Sequence, residues 1–127
     1  MLEIYNTLNQ KPEFFESTHP DSVKMYTCGP STYQAAHVGN YRTFLFEDIL
    51  QRYLEYLGYK VIRLMTFTDI EDKAIEQAKK ENLSVEELTK KNEAVFFKDS
   101  KWLRIKKPDF PVRASEAVDK AAELTSK

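Results

Sequence analysis

The sequence predicts an α/β fold, one βαβ unit with helical additions, and three stretches carry that prediction. In VKMYTC, residues 23–28, Val23, Met25 and Thr27 alternate with Lys24, Tyr26 and Cys28, the period of a strand. From Gly39 to Leu57 apolar side chains (Phe44, Leu45, Ile49, Tyr53, Leu54, Leu57) recur at three- and four-residue spacing, the period of a helix. YKVIRLMTF, residues 59–67, is β-branched and apolar with few charges, the pattern of a largely buried strand. Two strands joined through a helix run parallel with a right-handed crossover.

Taken in order, residues 1–20 mix polar and aromatic residues, with Pro12 and Pro20 as breakers. A short strand is expected near LEIYNTL, followed by a loop. Gly29-Pro30 closes the strand at 23–28 with a turn signal, and Gly58 sits where the first long helix needs its C-cap. Thr68 and Asp69 read as a loop and N-cap before a charged helix over 71–81. Ser84 and Glu87 form the S-x-x-E pattern of a capping box for the next helix, with Leu88, Val95, Phe96, Trp102 and Leu103 on a partly apolar face. Pro108 and Pro111 break the chain, and ASEAVDKAAELTSK starts a last helix that ends without a C-cap signal. The expected layout is a βαβ core over 21–81 and a helical extension over 84–127.

Composition bounds the function. The 127 residues are enough for one domain with a real core. Nineteen Lys and Arg against 20 Asp and Glu leave a formal charge of −1, which argues against a chain-wide grip on nucleic acid but not against a local patch. One cysteine excludes an internal disulfide and fits a reducing compartment. With no basic-then-apolar leader and no apolar run of about 18 residues, a soluble, cytoplasmic protein without membrane contact is expected.

The stretch CGPSTYQAAHVGN, residues 28–40, holds the only cysteine, two of the three glycines and one of the two histidines. Each alone has a plain reading: a cysteine at a strand end packs as a small apolar side chain, Gly-Pro makes a turn, and a histidine near a helix start caps it. Together, at the carboxyl edge where α/β sheets bind ligands, they gain meaning. Gly39 opens the helix without a side chain in a ligand's way, and the helix start favours phosphate. His37 and Asn40, three apart, present two hydrogen-bond donors to one anion. No G-x-x-x-x-G-K and no G-x-G-x-x-G is present, which leaves a histidine-based nucleotide site.

H-V-G-N resembles the HIGH signature of class I aminoacyl-tRNA synthetases. The longer pattern Y-x-C-G-P-x-x-Y-x-x-x-H-V-G-N-x-R-T-x-x-x-x-D, followed by L-G-Y and then T-D-I-E-D-K, is similar to the cysteinyl-tRNA synthetases, and the likeness runs from LEIYNTL to PDFPVRASE. That resemblance implies a Rossmann-like, HUP-type nucleotide-binding fold, of which this chain would be the N-terminal part of the catalytic domain and incomplete. It implies ATP-dependent activation of L-cysteine to cysteinyl-adenylate and transfer to tRNA(Cys). His37 and Asn40 take the catalytic positions; His37, Gly39, Asn40 and Asp69 fall at ATP-binding positions; Gly29 and Thr68 line the amino-acid pocket. Cys28 matches a ligand of the Zn²⁺ that selects a substrate thiolate over serine.

The chain departs from the family pattern in three places: Asn40 for the second histidine, Thr66-Phe67 before Thr-Asp, and Glu71 for an aspartate. Neither the KMSKS loop nor an anticodon-binding domain is found in these residues, and the resemblance places the other zinc ligands beyond residue 127. The expected partner is therefore the remainder of the catalytic domain, the fragment alone being inactive. Two further readings stand beside this one: a stand-alone, non-catalytic paralogue that binds nucleotide or a partner, and an ATP-dependent cysteine:amino-sugar ligase.

Overall fold

In the computed structural model, which describes residues 2–126, the sheet that carries the site has three parallel strands in the order β3-β4-β5. These are β3 (Ser22–Ser31), β4 (Lys60–Thr68) and β5 (Phe110–Arg113). Helix α1 (Val38–Tyr56) links β3 to β4, while α2 (Asp72–Glu81) and α3 (Val85–Trp102) link β4 to β5. Helix α4 (Ala114–Thr125) follows β5 directly. A separate antiparallel hairpin, β1 (Glu3–Asn6) with β2 (Lys11–Phe14), precedes the sheet.

Alternation decides which face of β4 is covered. Val61, Arg63, Met65 and Phe67 are buried while the residues between them are half-buried. Tyr41 and Phe44 from α1 and Phe96 from α3 meet Met65 and Phe67 in one aromatic core, so both helices lie on the same face. Phe96 is its hub, stacked on Tyr41 at 6.1 Å and edge-on to Phe44 at 5.1 Å and to Phe67 at 5.5 Å. A second cluster, Val23, Leu54 and Val61, closes the far end of α1.

Two caps, at the end of α1 and the start of α3, fall where the sequence puts them. Gly58 takes φ +96 just beyond α1, a conformation that favours glycine. Ser84 Oγ accepts from Glu87 N–H, and Glu87 Oε2 accepts from Ser84 N–H, the reciprocal bonds of a capping box.

Several expectations change. A strand runs through the segment expected to be helical and loop-like: β5 pairs with β4 from Leu64↔Phe110 to Phe67↔Arg113. Pro111 sits inside it, tolerated because β5 is an edge strand and one side of it needs no ladder donor. Pro12 is likewise inside β2, where a loop was expected. Helix α2 is capped by Glu71 without a side-chain bond, rather than by Asp69. Ile49 and Trp102, expected on core-facing stripes, are 64% and 83% exposed.

Buried charge is the remaining surprise. Arg63 on β4 is wholly enclosed, with Glu47 and Asp48 of α1 buried as well. Burial pushes the Glu47 carboxyl above its ordinary value, against the pull of Arg63 and a hydrogen bond from Thr27. Burial and the neighbouring Asp99 raise the Tyr41 phenol to about 12, so it stays a neutral donor to that carboxylate.

Candidate functional site

The site begins where β3 ends. After Cys28 the β3–β4 register slips before pairing resumes at Ser31↔Thr68. Gly29 sits in that irregularity. A Cβ there would collide with the Thr66 carbonyl oxygen and stand 2.9 Å from Met65 Cγ, so β4 itself occupies the space a side chain would need. The chain then crosses the carboxyl edge, held by Thr32, whose N–H and hydroxyl both donate to the Thr68 carbonyl at 2.9 and 3.0 Å. Asn92 of α3 donates to the Thr32 carbonyl at 2.9 Å and fixes the same turn from below.

His37 is the N-cap of α1. Its Nδ1 accepts from Gly39 N–H at 3.0 Å, and its own N–H donates to Asn40 Oδ1 at 3.0 Å. These reciprocal bonds orient both side chains. With Nδ1 an acceptor, the neutral ring carries its proton on Nε2. Asn40 spends its oxygen on the cap, which leaves its Nδ2 free among the described residues. Two outward donors, His37 Nε2–H and Asn40 Nδ2–H, thus stand at the positive end of the α1 dipole.

Cys28, Gly29, Tyr33, His37, Asn40 and Lys73 contribute to the wall of one hollow of about 370 Å³. The Cys28 thiol is exposed rather than packed. Lys73, in the first turn of α2, lies 5.5 Å over the Tyr33 ring and brings the hollow a cation. Glu71 also lines it, and its Oε1 is closed off from solvent with no hydrogen-bond partner among the described residues. A donor from a ligand would satisfy that oxygen. Sequence reading did not assign Lys73, although it is the last residue of T-D-I-E-D-K.

The other three expected site residues lie behind or beside this hollow. Gly39 backs the His37 ring, because a Cβ would stand 2.9 Å from His37 Cε1. Thr68 ends β4 and supplies the carbonyl that holds Thr32. Asp69 is buried and turned toward α4: its Oδ1 accepts from Ser115 N–H at 2.9 Å and its Oδ2 from the Ser115 hydroxyl. Its carboxylate lines a separate hollow, shared with Arg113 and Glu116.

Among the described residues no three His, Cys, Asp or Glu side chains stand close enough to hold a metal ion. Cys28 is a single open thiol, so these residues do not make a metal centre by themselves.

Residues 14–127 match the family model of the tRNA synthetases class I (C) catalytic domain. The chain belongs to that family. Its likeness to curated members of this synthetase family is continuous. It is 45% identical over 127 residues to the cysteine–tRNA ligase of Methanosarcina mazei, covering 100% of this chain and 27% of that protein. It is 42% identical over 126 residues to that of Chlamydia pneumoniae (99% and 26%), and 38% identical over 127 residues to that of Pyrococcus furiosus (100% and 27%). The chain therefore spans about a quarter of the length of these relatives. The parallel sheet with helices on one face is the Rossmann-like N-terminal half of such a catalytic domain. No helix of the described residues is long and apolar enough to cross a membrane.

Proposed function

We propose that this chain is the N-terminal part of a cysteine–tRNA ligase catalytic domain, working in the cytoplasm. The reading is carried by uninterrupted likeness to cysteine–tRNA ligases across all 127 residues, together with an anion-suited hollow at the start of α1. In this reading ATP lies over the α1 entrance. His37 Nε2–H and Asn40 Nδ2–H donate to its phosphates, and Lys73 adds a cation. The cysteine carboxylate oxygen attacks the α-phosphorus, the bond to the bridging oxygen breaks, and pyrophosphate leaves with the electron pair. A ribose hydroxyl at the tRNA(Cys) 3′ end then attacks the adenylate carbonyl and AMP departs. Placed donors and a cation suit this chemistry, which needs charge stabilisation and positioning rather than a protein nucleophile.

Cys28 stands at the rim of the same hollow. We assign it as one ligand of a zinc site completed outside residues 1–127, whose role is to bind the substrate thiolate. Two features favour completion by the remainder of the catalytic domain. The outer edge of β3 carries no strand partner among the described residues, and α4 buries none of its side chains, leaving Val118 and Leu124 exposed.

The test is ATP–pyrophosphate exchange by the native protein with cysteine or serine as substrate. Exchange with cysteine and background with serine is expected; equal rates, or none with either, would end the reading. In the Cys28→Ser protein, zinc content should fall while ATP binding is retained, and unchanged zinc would remove Cys28 from the metal site.

A further inference from the structure

The ten residues from Lys98 to Lys107 hold five cations and one carboxylate in a chain whose formal charge is −1. They form the last turn of α3 and the loop into β5. Within them Trp102, the only tryptophan, is 83% exposed. Lys98, Lys101 and Arg104 are exposed around it and pair with no carboxylate among the described residues. The one acid, Asp99, is turned toward α1, where it accepts from the Tyr41 hydroxyl at 3.3 Å. These side chains enclose a hollow of about 570 Å³.

The loop is fixed rather than loose. Arg52 Nη2 donates to the Arg104 carbonyl at 2.7 Å, and the enclosed Arg63 donates to the Lys106 carbonyl. Asp48 Oδ1 accepts from Lys106 N–H at 2.8 Å, and Asp109 Oδ2 from Arg63 N–H at 2.8 Å. Lys106 also pairs with Glu55. Arg104 holds φ +58, a left-handed conformation unusual outside glycine, which such bonds can maintain. Four hydrogen bonds and an ion pair thus keep a large aromatic face and three unpaired cations in water. Core packing does not require that arrangement.

Exposed aromatic rings set among cations are what a nucleic-acid strand needs: the cations meet phosphates, and the ring stacks on a base. An apolar groove along α1, about 680 Å³, shares Trp102 with this patch and Ala36 with the candidate site, so the two are continuous. We propose that the Trp102 patch is an RNA-binding surface that engages the substrate RNA through its backbone and one stacked base. This deepens the ligase reading above by naming a surface for its RNA, and in that respect rests on it.

The test compares native protein carrying Lys98→Glu with Lys101→Glu, and separately Trp102→Leu, with wild type. A tRNA(Cys) transcript is the probe, titrated across salt. For the double variant the affinity should fall at least about tenfold and the slope of log K against log salt should become shallower by about two, one for each phosphate no longer engaged. Trp102→Leu should weaken binding with the slope unchanged, because stacking releases no counterion. Cysteine-dependent ATP–pyrophosphate exchange should stay within about twofold of wild type in both, which also shows that the variants fold. Unchanged tRNA affinity in both variants would overturn the proposal. Absence of exchange in the wild type would instead defeat the ligase reading, and the tRNA titration would still decide the patch.

Discussion

The imidazole of His37 lies against the α-carbon of Gly39, so closely that a Cβ on residue 39 would stand 2.9 Å from Cε1 and 3.0 Å from Nδ1. The glycine makes room for the protein's own histidine. Gly39→Ala should therefore turn the ring away from its Nδ1 bond and misdirect Nε2–H. Adenylate formation should fall about a hundredfold, the scale of a misplaced positioning group. Stability should change little, since the helix gain of alanine over glycine, up to about 1 kcal/mol, offsets the lost His37 cap bond. Melting temperature and exchange rate measured on the same sample check both halves. A loss of stability equal to the loss of activity would mean that the ring's position is not the cause.

Gly29 gives the opposite balance. Its added Cβ would meet the Thr66 carbonyl and Met65 Cγ, neither of which can move without disturbing β4. Gly29→Ala should destabilise the fold by about 1–3 kcal/mol, the usual scale of overpacking. Urea unfolding followed by circular dichroism measures it, and an unchanged midpoint would show that the β3 irregularity has more slack than its contacts imply.

Asp69 acts on α4. Its two oxygens take the Ser115 N–H and hydroxyl, joining the carboxyl end of β4 to the start of that helix. Asp69→Ala should cost about 1–2 kcal/mol, as the loss of a capping carboxylate does. It should also speed amide exchange in α4 before any other element. Slower nucleotide binding with α4 exchange unchanged would instead make Asp69 a ligand contact.

Glu47 predicts a pH dependence. Its folded pKa is raised by burial, more than Arg63 and Thr27 lower it. Between the ordinary carboxyl value and that raised value, the folded state keeps a proton the unfolded state has lost. Stability from this group is thus greatest below the ordinary value and falls as pH rises through the window. Glu47→Gln should lack that component, so the stability difference between variant and wild type should shift in the variant's favour with rising pH and then level off. Denaturant melts at a series of pH values provide the check; a flat difference would contradict the assignment.

The βαβ core was legible because each element announces itself locally: period two in VKMYTC, period 3.6 from Phe44 to Leu54, and a glycine at the α1 terminus. β5 was hidden because it is four residues long, contains Pro111, and exists only by pairing with β4 some 46 residues earlier, as Leu64↔Phe110 shows. The same distance hid the hydrogen bonds of Asp69, whose partner Ser115 belongs to another element. The hollow's local half (Cys28, Gly29, His37, Asn40) was readable from one stretch. Lys73 was not, because only the meeting of α2 with the loop after β3 brings it over Tyr33. Arg63 belongs to a strand that reads as apolar with few charges; its burial depends on Glu47, Asp48 and the 104–109 loop arriving together.

The central claim is that the α1 entrance, built by His37 and Asn40, is where an adenylate forms. The most direct measurement is calorimetric titration of the native protein with a cysteinyl-adenylate analogue whose phosphate is replaced by a sulfamate, for wild type and His37→Ala. The account predicts saturable binding to wild type and an affinity lower by about a hundredfold in the variant, which stays folded with only the loss of about 0.5–2 kcal/mol that removing an N-cap costs. Equal affinity in the two proteins would contradict it.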